Sequence, residues 1–75
     1  MMKKRDLERR MSRLAKEYDI EITTKHGGNH DKWYIGSDAI PIPRHSEIKE
    51  NTAKGILRMW EEMLAEAKEQ EGENE

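Results

Sequence analysis

The spacing between apolar residues changes twice along this chain, and these changes limit its fold more narrowly than any other feature. Near the N-terminus apolar residues recur every three or four positions, which predicts one stripe of an amphipathic helix: Leu7, Met11, Leu14 and Tyr18. Residues 20–42 instead alternate apolar and polar side chains between turn-forming residues, a pattern typical of short strands. Helical spacing returns after Asn51, a good helix cap, at Ala53, Ile56, Leu57, Trp60, Met63, Leu64 and Ala67. The predicted order is helix, strand, strand, strand, helix.

Three strands are predicted in the central segment, at residues 20–24, 30–35 and 39–42. The glycines of Gly27-Gly28-Asn29 form the turn that makes the first two strands a hairpin. Pro41 and Pro43 have no N–H to donate, so the third strand should be short and lie at an edge. Because tight turns join antiparallel strands, the predicted fold is α+β: a two-layer α-β-β-β-α sandwich with a three-stranded antiparallel sheet and both helices on one face.

The length and composition of the chain allow one small domain. It has 75 residues, of which 40 % are charged and 33 % hydrophobic, and it has no Cys. We therefore expect neither a disulfide framework nor a thiolate metal site, and no segment is apolar enough to span a membrane. These features predict a cytoplasmic domain formed by residues 1–67. Residues 68–75 have no apolar side chain, which predicts an acidic, disordered tail.

Charge is distributed unevenly, although the net charge is only −2. Residues 1–16 carry seven positive and two negative side chains, whereas residues 61–75 carry seven Glu and one Lys. The basic face of the first helix can attract a polyanion such as the phosphate backbone of RNA. The same composition is also compatible with an ordinary solvated helix surface. The sequence leaves both interpretations open.

Side-chain alternation in the second strand separates two groups of residues. If Trp33 faces the helices, Asp31 shares its side of the sheet. The opposite side then carries three polar side chains: His30, Lys32 and Tyr34. An imidazole can accept the proton of an RNA 2′-hydroxyl while an ammonium group offsets charge that develops on the phosphate. His30 and the glycines before it are also compatible with an ordinary polar strand residue and a plain hairpin turn.

The three histidines do not predict a metal centre. His26, His30 and His45 lack the spacing of a zinc motif, and neither Cys nor a cluster of carboxylates completes a ligand set. We expect no metal and no cofactor.

Two short motifs follow one another along the chain. The first is a Gly-x-His in the hairpin, Gly28-Asn29-His30. The second is a Pro-x-His-x-Glu-Ile segment at residues 43–48, which leads into a Thr-x-x-x-Ile-Leu helix at residues 52–57. In their order and separation these motifs resemble the HicA family, the mRNA interferase toxins of HicAB toxin–antitoxin modules. Asn51 stands where the family often has Gly, and the second helix and tail run past the usual C-terminus.

The resemblance implies a fold similar to double-stranded RNA-binding domains and a ribosome-independent cleavage of mRNA. The single catalytic histidine of the family's Gly-x-His corresponds to His30. The expected partners are an RNA substrate and a HicB-type antitoxin that covers the active site, with no DNA except through the antitoxin complex. To these the residues themselves add RNA-binding candidates at Lys25, Gly28, Lys32 and Arg44. His45 and Tyr34 are candidates for the proton donor to the leaving oxygen.

Two other classes of function fit the same residues. A non-catalytic RNA-binding module would use the basic helix and hairpin without cleaving RNA. A protein-binding domain would direct the same basic helix and its apolar edges at an acidic partner.

Overall fold

Two helices and five strands make up the fold in a computed structural model that describes residues 1–73. In chain order they are β1 (Met2–Lys3), α1 (Lys4–Glu17), β2 (Thr23–Gly27), β3 (His30–Ile35), β4 (Asp38–Pro43), β5 (Glu47–Ile48) and α2 (Glu50–Glu73). Strands β2, β3 and β4 form one antiparallel sheet in that order. Both helices pack on one face of this sheet, so the predicted α+β fold class is confirmed.

The backbone becomes left-handed two residues after the last residue of helix α1, Glu17. Asp19 has φ 56°, and its N–H donates to the carbonyl of Lys16 at 3.0 Å. The N–H of Ile20 reaches back to the carbonyl of Ala15, also at 3.0 Å. These two bonds satisfy helix carbonyls that would otherwise lack a donor, and they turn the chain toward the sheet.

The β2–β3 hairpin has a two-residue turn, Gly28-Asn29, which pairs Gly27 with His30. Gly28 has φ +54°, a conformation that glycine adopts without steric cost. Pairing from this turn extends as far as Thr23 opposite Tyr34, so β2 begins at Thr23 rather than at residue 20 as the alternation predicts. Ile20 and Ile22 are instead half-buried in the connection from α1 and pack against the core.

Strand β3 lies in the centre of the sheet, and its alternation is as predicted. Asp31, Trp33 and Ile35 are buried on the side of the helices, and His30 and Lys32 are exposed on the other side. Strand β4 lies at an edge of the sheet as predicted, but it is not short: it has six residues, as many as β3. Pro41 lies opposite Lys32, and Pro43 lies opposite His30. In an edge strand, the backbone nitrogen of every second residue points away from the neighbouring strand. Two prolines spaced two residues apart can both occupy such positions, so pairing with β3 continues past them.

A second, two-stranded sheet was not predicted from the sequence. Strands β1 and β5 pair antiparallel, with Met2 opposite Ile48. The N–H of Lys4 also donates to the carbonyl of Ser46 at 2.9 Å. A strand of two residues shows no detectable period, so only the tertiary structure reveals that the N-terminus is tied to the segment before α2.

The core lies between the helices and the inner face of the sheet. Trp60 of α2 is its largest fully buried side chain and meets the Trp33 ring edge to face, at 5.7 Å between centroids. The Trp60 Nε1–H donates to the carbonyl of Met11 at 2.9 Å, which links the two helices. The buried hydrophobic residues are Leu7, Met11, Ala15, Trp33, Ile35, Ile40, Ile42, Ile48, Ala53, Ile56, Trp60 and Leu64.

Helix α2 is longer than the sequence predicts at both ends. It begins at Glu50, so Asn51 lies in its first turn instead of capping it. It continues to Glu73, past Ala67, where the sequence analysis places the start of a disordered tail. Lys68 and Glu71 form an i,i+3 ion pair at 3.4 Å within this extension. Residues 74 and 75 of the predicted tail lie outside the described residues. Within residues 1–73 neither helix is long and apolar enough to cross a membrane.

Candidate functional site

The sheet face that points away from the helices carries positive charge and no carboxylate. By the register of the three strands, its residues are Thr23, Lys25, Gly27, His30, Lys32, Tyr34, Ala39, Pro41 and Pro43. We call this surface the open face. Its only charged side chains are two lysines, and the small residues around them leave it accessible. Such a surface is suited to contact an anion.

The two lysines of the open face lie directly opposite each other. Lys25 of β2 pairs with Lys32 of β3, and like charges in that position destabilise a pair of strands. The Lys25 ammonium lies 5.4 Å from the centre of the Tyr34 ring, a cation–π contact that partly offsets the repulsion. A bound phosphate between the lysines would remove the repulsion, so the pair favours an anionic ligand.

His30 lies at the end of the open face beside the hairpin turn. Its neighbours across the sheet are Gly27 on one side and Pro43 on the other, neither of which can form a hydrogen bond with the imidazole through its side chain. His30 lines two adjoining recesses. One is also lined by Gly28, Asn29, Pro43, Arg44 and His45, and the other by Lys25, His26, Gly27, Gly28, Lys32 and Tyr34. The imidazole is therefore open to a ligand from either side of the turn.

A buried carboxylate lies one residue beyond His30. Asp31 points into the protein and is only 1 % exposed. Its oxygens meet cationic or hydrogen-bonding groups from three parts of the chain: Lys4 Nζ at 2.6 Å, His26 Nδ1 at 2.9 Å and Arg44 Nε at 3.4 Å. A buried charge is tolerated when it is paired in this way. Asp31 thereby joins α1, β2 and the segment after β4.

These contacts keep the Asp31 carboxyl ionised. The hydrogen bond from Lys4, with a second from His26, lowers the pKa of Asp31 to about 2, although burial opposes the shift. Burial by itself would lower the pKa of Lys4, but its hydrogen bonds to Asp31 and Glu8 outweigh that effect and raise it. Both partners are thus charged at neutral pH.

The contact with Asp31 determines which nitrogen of His26 faces outward. An ionised carboxylate can only accept hydrogen bonds, so Nδ1 of His26 must be the donor. The other nitrogen, Nε2, is left for solvent or a ligand, and the side chain is 70 % exposed. In the sequence, His26 stands out only as one of three histidines that lack the spacing of a metal site. The signal that pointed to it was the position of Asp31 on the apolar side of β3, where a carboxylate needs partners.

Arg44 supports the hairpin turn as well as Asp31. Its Nη1 donates to the carbonyl of Gly28 at 3.2 Å, and its Nε faces Asp31. The side chain remains about half exposed. Arg44 therefore holds the turn next to His30 and still offers part of its guanidinium to a ligand.

The structure brings most of the predicted site residues to one end of the sheet. His30, Lys25 and Lys32 share the open face, and Gly28 and Arg44 lie at the adjoining turn. Both proton-donor candidates line a recess with His30, His45 on one side of the turn and Tyr34 on the other. The Tyr34 ring is also in contact with the Lys25 ammonium. The basic residues of α1 form a separate surface, because this helix covers the inner face of the sheet. Among residues 1–73, no three or more His, Asp or Glu side chains are arranged to hold a metal ion.

Comparison with known proteins yields no relative for this chain: no family model, curated protein or solved structure matches it.

Proposed function

We propose that this protein is a metal-independent endoribonuclease toxin of the HicA type, which cleaves mRNA with His30 as its general base. The observation that carries the proposal is the position of His30, on a cationic sheet face without carboxylates, next to a turn formed by Gly28. The motifs that resemble HicA support it independently. The position of His30 and the HicA-like motifs together suggest the RNA substrate and the general-base mechanism.

The proposed reaction uses the nucleophile that RNA itself supplies. His30 accepts the proton of a 2′-hydroxyl, the 2′-oxygen attacks the adjacent phosphorus, and the bond to the 5′-oxygen breaks. Lys32 lies two residues along the same strand, roughly 7 Å away, where its ammonium offsets charge developing on the phosphate. The products are a 2′,3′-cyclic phosphate and a 5′-hydroxyl.

The open face also supplies the binding energy for a single strand of RNA. Lys25 and Lys32 neutralise phosphate charge, and Gly27 and Gly28 have no side chain to keep a backbone away from His30. Arg44 extends the cationic surface on the other side of the turn. The proposed RNA-binding residues are therefore those predicted from the sequence: Lys25, Gly28, Lys32 and Arg44.

The proposal includes a protein partner. A HicB-type antitoxin covers the open face and keeps the toxin inactive, and contact with DNA occurs only through the complex with that antitoxin. An mRNA substrate makes the cytoplasm the place of action. Neither a metal nor another cofactor takes part in the proposed reaction.

One alternative uses the same surface without catalysis. The opposed pair of Lys25 and Lys32 favours phosphate binding whether or not His30 transfers a proton. A non-catalytic RNA-binding module of this fold would bind RNA through these lysines, and replacement of His30 would change its affinity only slightly.

Cleavage of RNA in the presence of EDTA tests the proposal. The purified protein should cut RNA, and His30→Ala should abolish cutting while circular dichroism shows the same fold. Arg58→Ala, which removes an exposed cation on α2, is the matched control and should cut normally. Products that end in a 3′-hydroxyl, or activity lost with EDTA, would refute the mechanism. Binding without cleavage by both the wild type and His30→Ala would establish the alternative.

A further inference from the structure

His26 and Asp31 form a carboxylate–imidazole pair next to the proposed catalytic histidine. The distance between His26 Nδ1 and Asp31 Oδ1 is 2.9 Å, and Asp31 is buried while His26 is exposed. A carboxylate at Nδ1 orients the ring. Nε2 then faces outward in a direction that the contact with Asp31 determines, and in the imidazolium form of the ring it carries an N–H.

The exposed imidazole shares a recess with His30. The recess has a volume of about 270 Å³ and is lined by both histidines, by Lys25 and Lys32, and by two glycines. The side chains of His26 and His30 start from opposite faces of the sheet, but β2 is an edge strand. Gly27 lies between His26 and the turn, and a Cβ at this position would meet no atom within 4 Å. A phosphodiester that crosses these glycines has no side chain between it and either ring.

We propose that His26, oriented by Asp31, is the catalytic residue that donates a proton to the leaving oxygen during RNA cleavage. This inference rests on the proposed ribonuclease activity. His30 takes the proton of the 2′-hydroxyl as the bond between the 2′-oxygen and phosphorus forms. The bond between phosphorus and the 5′-oxygen breaks, and that oxygen takes the proton from His26 Nε2. Exchange with water then restores both histidines.

The charged groups around the pair fit this role. Asp31 is faced by Lys4 from α1 and by Arg44 from the segment after β4, and Lys4 is also paired with Glu8. These two cations hold the carboxylate in place, so that it is still available to His26. On the outer side, Lys25 and Lys32 attract the phosphate. Neither His45 nor Tyr34 has a carboxylate contact among the ion pairs and hydrogen bonds described within residues 1–73.

A change of leaving group separates proton donation from a structural role. The substrate is an RNA oligonucleotide that spans a cleavage site mapped with the wild-type protein. Its counterpart carries sulfur in place of the bridging 5′-oxygen, and a thiolate departs without being protonated. His26→Asn is the test variant, because its amide can still donate to Asp31 near the Nδ1 position while Nε2 is lost.

His26→Asn should cleave the oxygen substrate about 100-fold more slowly or worse, since general acid catalysis contributes on the order of 10²–10⁴-fold. On the sulfur substrate it should approach the wild-type rate. Asp31→Asn should show the same pattern to a smaller degree, as expected of a positioning residue. His30→Ala should be slow on both substrates, because the general base is still required.

Three results would overturn the inference. His26→Asn could cleave the oxygen substrate normally, or it could lose activity equally on both substrates, which would indicate a structural role. His45→Ala could instead be the variant that sulfur rescues, which would assign proton donation to His45. If the wild-type protein cleaves neither substrate, the proposed ribonuclease activity itself fails, and this outcome is distinct from the other three.

Discussion

Asp31 is the single residue on which the polar contacts behind the site converge. It lies on the apolar side of β3 beside Trp33, yet it is ionised and contacts groups from α1, β2 and the segment after β4. Removing such a carboxylate leaves Lys4, which is largely buried, without its closest partner. Asp31 therefore contributes both to the stability of the fold and to the position of the groups around His30.

The lowered pKa of Asp31 predicts an acid-sensitive stability. The pKa is about 2 in the folded protein against an ordinary 3.8. The contribution of Asp31 to stability is therefore complete well above the ordinary value, and it is lost as the pH falls from about 5 through the folded pKa. Urea unfolding across this range should show the loss in the wild type. Asp31→Asn should be less stable near neutral pH and should depend less on pH.

Asp38→Asn is the matched control for this measurement. Asp38 is an exposed carboxylate of β4 and makes no ion pair within the part of the chain that the structure describes. The control should keep the wild-type pH dependence. Equal dependence in Asp31→Asn would contradict the assignment of the acid-sensitive contribution to Asp31.

At the level of elements, two residues with a left-handed backbone conformation lie in the connections on either side of β2. Asp19 follows the C-terminus of α1, and Gly28 lies in the turn between β2 and β3. The residues between them connect the helix to the edge strand that carries Lys25 and His26. The positions of His26 and His30 therefore depend on the conformation of the α1–β2 connection and of the β2–β3 turn.

The hairpin turn should tolerate a side chain at one glycine and not at the other. Gly28→Ala should lower the free energy of unfolding by about 1–2 kcal/mol, because a Cβ disfavours the left-handed conformation. Gly27→Ala is the control, since Gly27 has no positive φ and a Cβ there meets open space. Chemical denaturation of both variants measures the difference, and equal losses would show that the turn conformation is not the cause.

The end of α1 offers a second test of backbone conformation. Asp19→Ala should lower the free energy of unfolding by about 1 kcal/mol, because Ala has neither the short polar side chain of Asp nor the freedom of Gly at a positive φ. Asp19→Gly should not be destabilising. Thermal unfolding of the pair gives the comparison, and a loss of stability in the glycine variant would contradict this account.

At the scale of the whole molecule, charge is separated by surface. The open face of the sheet is cationic, and α1 carries a second basic surface formed by Arg5, Arg9, Arg10 and Arg13. The extension of α2 beyond Ala67 is acidic and continues the helix. Since α1 lies on the side of the sheet opposite the open face, with Lys4 at the inward Asp31, a strand of RNA on the open face would not reach its arginines directly.

The salt dependence of RNA binding distinguishes these two basic surfaces. Replacing Lys25 and Lys32 together with Ala should reduce the slope of log Kd against log salt concentration by roughly 1.4, since each phosphate contact with a single strand contributes about 0.7. Replacing Arg9 and Arg13 together is the matched control and should change the slope little. A larger effect of the arginines would move the binding surface to α1.

Some elements of this fold can be predicted from the sequence and others cannot, and the difference has a physical reason. The hydrophobic period of α1 and the alternation of β3 are local properties, so the sequence indicates both elements and which side of β3 carries His30. The start of β2 cannot be read from the alternation, because the alternation continues through Ile20 and Ile22 while pairing with β3 stops at Thr23. The strand pair β1–β5 was missed because it joins two residues at each of two distant positions.

Local patterns in the sequence are sufficient for the order of the two helices and the three strands of the larger sheet, for the apolar faces that form the core, and for placing His30 with Lys32 on one side of a strand. These features follow from neighbours along the chain, where backbone geometry imposes fixed periods. The meeting of Lys4, His26 and Arg44 at Asp31, and the position of Lys25 opposite Lys32, can be seen only in the folded protein. Such contacts join residues whose separation in sequence carries no period, so folding alone brings them together.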